Sequence, residues 1–366
     1  MNVLLLIANK EIPMDFTMTL RPKLLLAAAA LITLAVIAVQ ATAPSAAVRA
    51  GTYSPDDMLV VTGFTVEITG TGSGGDVDSA WETTSGGSLN IEIADSSVGT
   101  DSSHQTTPGH KYVDTLTLRG PLTAGVKATR GTNEGAYEIL ENGAGKFRVE
   151  LGDLPLRSIQ GIAIEDLLID SRELQGGNDE YRVYGPGDAH YGSITIRSRV
   201  GKNSTELYQW WLDASQGKNV RKSISVSLLN EAGEDARRYN FLECFPTQYS
   251  PFKELPGVAM EEVVARCEGV KFEATGARKA MAEWLNATLN ASSLQVPAGR
   301  GEAKSTGEPW KRTVTVKEIL KDGAAGRAFE YQEAFPTRYV FPSLDAAGTG
   351  NLYEEIAIKP IRLELS

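Results

Sequence analysis

The sequence predicts a mainly β protein: two small antiparallel β-barrel or sandwich domains, each with one short helix, the second inserted into the first, and an apolar segment ahead of both. Three observations carry that expectation. Between residues 190 and 273, four strand-like runs alternate apolar and polar residues, the period of half-buried antiparallel strands. Between the first and second of these runs lies one helix-like stretch with paired tryptophans, Trp210 and Trp211. Most of these blocks then recur elsewhere in the chain, in consistent order but split around the first set.

A length of 366 residues allows two or three ordinary domains. Abundant glycine and an ordinary share of charged residues fit a β-rich globular chain rather than a disordered one. The net charge is -10, and the first fifty residues carry four basic and two acidic groups, so the remainder stands at -12. Such a chain has no general affinity for DNA phosphates, and no direct sequence-specific nucleic-acid binding is expected.

At the N-terminus, Arg21 and Lys23 precede an apolar run over 24–39, and small residues follow it. That is the order of a secretory signal peptide, with cleavage sites after Ala41 or Ala50. The alternative is an uncleaved membrane anchor, since the run is near the lower length for a spanning helix. Residues 1–50 are therefore a signal peptide or anchor, and export to the periplasm, cell surface or exterior is expected. The membrane would be met only through this segment.

The first strand is expected over 59–69, where Phe64, Val66 and Ile68 alternate with polar residues. Gly/Ser/Thr-rich tracts at 70–87 and 96–107 are expected to be long loops around a strand at 89–93. Another alternating strand spans 111–120. Pro108-Gly-His-Lys-Tyr, with Thr-Leu-Thr-Leu-Arg119, matches Pro186-Gly-Asp-Ala-His-Tyr, with Ser-Ile-Thr-Ile-Arg197, and Phe64-Thr-Val-Glu matches Phe147-Arg-Val-Glu. The continuation of the first copy lies near the C-terminus. Trp284-Leu-Asn-Ala-Thr matches Trp211-Leu-Asp-Ala-Ser, and Arg312-Thr-Val-Thr-Val matches Lys222-Ser-Ile-Ser-Val. Phe329-Glu-Tyr-Gln-Glu-Ala-Phe-Pro-Thr-Arg-Tyr matches Tyr239-Asn-Phe-Leu-Glu-Cys-Phe-Pro-Thr-Gln-Tyr, and Glu354-Glu-Ile-Ala matches Glu261-Glu-Val-Val. The expected division is an outer domain of 55–129 plus 277–366 and an inserted domain of 130–275, insertion being tolerated where chain ends meet at an exposed loop.

Ser204 or Thr205 is placed to cap a helix over 206–214, and a second helix is expected over 277–289. Trp210, Trp211 and Trp284 are expected as core anchors sealing one end of a barrel, with Phe245, Pro246, Phe335 and Pro336 from the aromatic-proline strands. Cys244 and Cys267 are the only cysteines and form no zinc motif. A turn near Gly257 would set their strands opposite, giving a disulfide in an exported chain or otherwise two buried thiols.

Catalytic patterns are missing from the sequence. Gly70-Thr-Gly-Ser-Gly-Gly and Gly143-Ala-Gly-Lys both fail the phosphate-loop pattern, and no Gly-x-Ser-x-Gly elbow occurs. His104, His110 and His190 make no metal or catalytic constellation. Paired acids at 165–166, 261–262 and 354–355 point to opposite faces of a strand and are expected as solvated or interface charges. Asn203, Asn286 and Asn290 head glycosylation patterns that chance explains. No enzyme, cofactor or metal is expected.

The order of strand, Trp-bearing helix, strand with a Glu-Ala-Gly turn at 231–233, and aromatic-Pro strand resembles the tail tube protein family of contractile phages and related injection machines. The resemblance implies rings of six barrels whose inner strands line a channel, with rings stacking. Two copies per chain imply three chains per ring, a homo-oligomer with possible further tail-like components as partners. Strands bearing Leu116, Leu118, Ile194, Ile196, Ile224, Val226, Val314 and Val316 are the expected lumen strands. An export signal departs from the family pattern, so the competing expectation is a secreted or periplasmic binding module that reuses the tube fold without assembling. A membrane-anchored adaptor follows only if the apolar run stays uncleaved.

Overall fold

Period-two alternation governs most of the chain. The computed structural model describes residues 60–70, 73–78, 81–97, 104–124, 138–143, 145–174, 180–201, 205–254, 257–275, 279–293 and 308–365, all within the unit Leu59–Ser366. The expected signal or anchor segment, 1–50, lies outside the described residues, as does the expected junction near 130.

The strands are β1 (Val61–Gly70), β2 (Ser73–Asp78), β3 (Thr83–Gly86), β4 (Leu89–Ser97), β5 (His104–Val113), β6 (Leu116–Pro121), β7 (Thr123–Ala124) and β8 (Glu138–Ile139). Then come β9 (Phe147–Leu151), β10 (Leu154–Pro155), β11 (Ile159–Ile164), β12 (Leu167–Leu174), β13 (Val183–His190) and β14 (Ser193–Arg199). Helix α1 (Glu206–Ser215) leads to β15 (Lys222–Leu229), β16 (Asp235–Glu254), β17 (Val258–Arg266) and β18 (Gly269–Ala274). Helix α2 (Lys279–Ser293) precedes β19 (Arg312–Leu320), β20 (Ala325–Val340), β21 (Leu344–Asp345), β22 (Tyr353–Lys359) and β23 (Arg362–Leu365). The tract at 70–87, expected as a loop, contains β2 and β3 because the edges of β1 and β6 supply main-chain partners.

The strands form two main antiparallel ladders. One runs β2-β1-β19-β20-β22-β6-β3 and the other β10-β9-β15-β16-β17-β14-β11-β21, with β23 added to β20 and β18 to β16. The order is the same in both. Between β3 and β6 the chain makes the hairpin β4–β5, and between β11 and β14 it makes the hairpin β12–β13. Strands β16 and β20 are long because each serves two sheets. The first part of β16 pairs β15 and β18, and the rest pairs β17. The first part of β20 pairs β19 and β23, and the rest pairs β22. Each turns its corner at a glutamate with positive φ, Glu243 and Glu333, both at 51°. A left-handed non-glycine residue at a bulge bends the strand from one sheet to the next.

Directly after the first corner, Cys244 is bonded to Cys267, 23 residues on. At the matching places of the other ladder stand buried Ala334 and Pro360. The disulfide closes the β16–β17 hairpin. Reducing it, or making C244S/C267S, is expected to lower stability by about 3 kcal/mol through the freed loop. Urea melts with and without reductant check this, and an unchanged midpoint would refute it.

Candidate assembly interface

The two ladders meet at an edge. β12 adds to β20 through Leu167 opposite Tyr339 and Leu168 opposite Arg338, and β11 pairs β21 through Gly161 and Ile162. Leu167 and Ile169 are buried by this joint. The Arg338 guanidinium sits between two carboxylates, donating to Asp166 at 2.5 Å and to Glu355 at 3.2 Å. Asp166, read from the sequence as a solvated or interface charge, takes part in the joint.

Behind the joint lies a buried polar cluster assembled from both ladders. Arg237 comes from the start of β16, Tyr339 from β20 and Glu354 from β22. Arg237 Nη1 donates to Glu354 Oε2 at 2.6 Å and to the Tyr339 hydroxyl at 3.1 Å, and Tyr339 donates to the same carboxylate oxygen at 2.8 Å. The hydroxyls of Tyr239 and Tyr339 lie 3.1 Å apart. Tyr239, Phe272, Tyr339 and Phe341 wall the cluster, their centroids 5.0 to 6.3 Å apart, several in edge-to-face contact. Burial pushes the Tyr239 hydroxyl up to about 12 and Tyr339 well above its ordinary value. Burial opposes the Arg237 charge, but the Glu354 carboxylate and the tyrosines outweigh it, leaving the guanidinium above its usual range.

Helix α2 closes the joint. The Asn286 amide accepts from Phe272 N at 2.9 Å and donates to Phe272 O at 2.7 Å, satisfying the edge of β18. With that amide engaged and Thr288 fully buried, the glycosylation pattern at Asn286 is coincidental.

The expected anchors divide. Trp210 and Trp284 are buried, and their indole N–H groups donate at 2.7 Å to the carbonyls of Val220 and Trp310. Val220 and Trp310 each precede their strand, β15 or β19, by two residues. The tryptophan equivalent to Trp284 is therefore Trp210, one position away from the sequence match. Trp211 is not a core anchor. It is half-buried and stacks on Tyr249 at 5.3 Å, beside Tyr208. Phe335 is buried beneath Trp310, edge-to-face at 5.6 Å. Phe245 departs from the expectation at 37% exposed, since Val220, at the place of Trp310, is too small to cover it. Pro246 and Pro336 are buried.

All eight apolar residues on the expected lumen strands, Leu116, Leu118, Ile194, Ile196, Ile224, Val226, Val314 and Val316, face the core. Their neighbours Thr117, Arg119, Thr195 and Arg197 point the other way, half-buried or exposed. Of the paired acids, Glu261 and Glu354 are buried rather than solvated, because alternation turns one member of each pair inward. Glu261 meets the Tyr249 hydroxyl, and burial raises its carboxyl above the usual range. Thr205 precedes α1 without a side-chain capping bond. His190 lies on the surface, 3.0 Å from Asp170. Among the described residues no group of three or more His, Cys, Asp or Glu side chains is placed to hold a metal, and no helix is long and apolar enough to cross a membrane.

Residues 143–270 match the family model described as T4-like virus tail tube protein gp19. No curated protein matches the chain. Among solved structures, the sheath–tube complex of an extracellular contractile injection system in its extended state is 27% identical, covering 36% of this chain and 89% of that one, with a TM-score of 0.30. The tube-terminating cap of the anti-feeding prophage is 24% identical, covering 41% and 100%, at 0.34. Hcp1 from Flavobacterium johnsoniae is 14% identical, covering 35% and 95%, at 0.25.

Proposed function

We propose that the protein is the structural subunit of a phage-tail-like tube, carrying two tail-tube-like domains in one chain. The outer domain is 55–129 plus 277–366 and the inserted one 130–275. The equal ladder orders, the paired corners at Glu243 and Glu333, and a family match contained within 143–270 support this nesting. Three chains close a ring of six domains, and rings stack.

The observation that carries the proposal is the β12–β20 pairing, in which one domain extends the sheet of the other by main-chain hydrogen bonds. Repeating that joint around a ring leaves no sheet edge open. It runs the layer of β17 and β14 toward that of β22 and β6, so this is the layer that lines the channel in the proposed ring. Thr117, Arg119, Thr195, Arg197, Glu262 and Glu355 then face the lumen, while β15 and β19 belong to the other layer. Export is part of the proposal. The apolar run at 24–39 and a disulfide, which persists in oxidising compartments, both support assembly outside the inner membrane. The role is mechanical rather than catalytic.

A second reading, a secreted or periplasmic binding module that does not assemble, is favoured by the aromatic surface of Tyr208, Trp211 and Tyr249. Negative-stain electron microscopy of the full chain over a range of concentrations separates the two. Rings or stacked tubes with a central hole, three chains to a ring, are expected. Single particles at every concentration would overturn the tube and leave the binding module.

A further inference from the structure

Within one chain, the inserted domain offers a donor surface and the outer domain an acceptor surface. The donor surface is the β12–β13 hairpin, Arg237 and Phe272. The acceptor surface is the β20 edge, Tyr339 and Glu354. The ladders place a second, unused pair of the same surfaces on the chain. Asn90 stands opposite Tyr112 as Leu168 stands opposite His190, so Leu89 and Ile91 hold the places of Leu167 and Ile169. Leu365 lies opposite Phe329 as Phe272 lies opposite Tyr239, and Arg327 precedes Phe329 as Arg237 precedes Tyr239. On the acceptor side, Gln248, Tyr249 and Glu261 hold the places of Arg338, Tyr339 and Glu354.

The used and unused surfaces differ in burial. Leu167, Ile169, Phe272 and Arg237 are buried in the joint. Their counterparts Leu89, Ile91 and Leu365 are 41%, 53% and 71% exposed, and the Arg327 side chain is 66% exposed. Exposed apolar side chains grouped on one face mark an interaction surface. On the acceptor side, Glu354 is neutralised by an arginine from the other domain, whereas Glu261, just as buried, meets the Tyr249 hydroxyl and no cation among the described residues. Glu261 Oε2 has no hydrogen-bond partner among the described residues. A buried carboxylate without a cation is costly, and an arginine entering from outside removes that cost.

We infer that a second copy of this chain docks its β4–β5 hairpin on the β16 edge, setting Asn90 opposite Gln248 and Leu89 opposite Tyr249, and inserts Arg327 beside Glu261 and Tyr249. The occupant is another copy because the surface that fits is the counterpart of one already joined within the chain. The junction between chains thus repeats the junction within the chain. Gln248 and Ser88 stand where Arg338 and Asp166 form their ion pair, so the two junctions differ in charge and the hairpins are not interchangeable. The inference rests on the tube reading and names its contact between chains.

Two measurements on the full chain test it. Arg327→Glu also removes the pair with Glu318, whose side chain is 13% exposed, so the thermal melt of the single chain is recorded beside assembly to separate that loss from the loss of the contact. The variant is expected to raise the concentration for half-assembly at least tenfold. In a mixture of N90C chains and Q248C chains, a short bifunctional maleimide is expected to join one chain of each kind, while neither variant alone gives a covalent pair. The native cysteines, being bonded, do not react. If rings form but N90C and Q248C fail to join, the assigned contact is wrong and the tube reading stands. Rings of Arg327→Glu that assemble like the unmodified protein also overturn the contact. If the unmodified chain never assembles, the tube reading falls and this contact with it.

Discussion

Arg237→Met is expected to destabilise the chain by about 3–5 kcal/mol, the cost of leaving the buried Glu354 carboxylate without its cation. Glu354 accepts from both Arg237 and Tyr339 through one oxygen, and the side chains of Glu354 and Arg237 are 0% and 4% exposed. Water is therefore poorly placed to replace the guanidinium. Methionine retains much of the apolar stem but supplies no donor, so the acid loses its cation while the Tyr339 hydroxyl stays in place. Removing both charges is expected to be far milder. R237M/E354M exchanges an ion pair for apolar volume, a change that is often neutral. Urea unfolding of the two single variants and the double variant gives the coupling directly. If Arg237→Met unfolds at the wild-type midpoint, the cluster contributes nothing and the acid is hydrated. If the double variant is as unstable as the singles added, the residues do not act as a pair.

That cluster also marks where the sequence stops being legible. The alternating strands were readable because a period of two follows from the pleat and one buried face. The pair Arg237 and Arg327 was not. The two arginines occupy matching positions in matching blocks, yet one is buried and the other exposed, because the first meets Tyr339 and Glu354 of the other ladder while the second pairs with Glu318 at the surface. From the sequence alone, Glu354 and Glu261 read as solvated or interface charges. Alternation already implied that one acid of each pair turns inward, but the cation that makes this tolerable at Glu354 lies 117 residues away. Phe245 and Phe335 sit in near-identical local sequence, and their different burial depends on Val220 or Trp310 well upstream. The β12–β20 joint had no local signature, since edge pairing between distant strands is set by the finished fold. The gp19 family match agrees with the resemblance read from residues 190–273, which depends on the order of elements rather than on any long-range contact.

Trp284→Ala is expected to cost about 3–5 kcal/mol, the range for truncating a fully buried tryptophan. Its indole fills the space between α2 and the sheet, and its N–H satisfies the Trp310 carbonyl at 2.7 Å. Truncation therefore opens a cavity and releases a buried acceptor. Trp284→Phe isolates the second part, keeping most of the volume while removing the donor, for about 1–3 kcal/mol. Trp210→Ala should behave like Trp284→Ala, because its bond to Val220 O repeats the same geometry two residues before β15. Trp211→Ala is the informative contrast. Its ring is half-buried and stacked on Tyr249, so losing it from the single chain should cost about 1 kcal/mol, the scale of one aromatic pair. Thermal melts of the variants, at a concentration where the chain stays single, decide the matter. A loss at Trp211 equal to that at Trp210 would mean that both rings anchor the core. A small loss at Trp211 in the single chain, with a larger one once chains associate, would place its ring at the surface between copies.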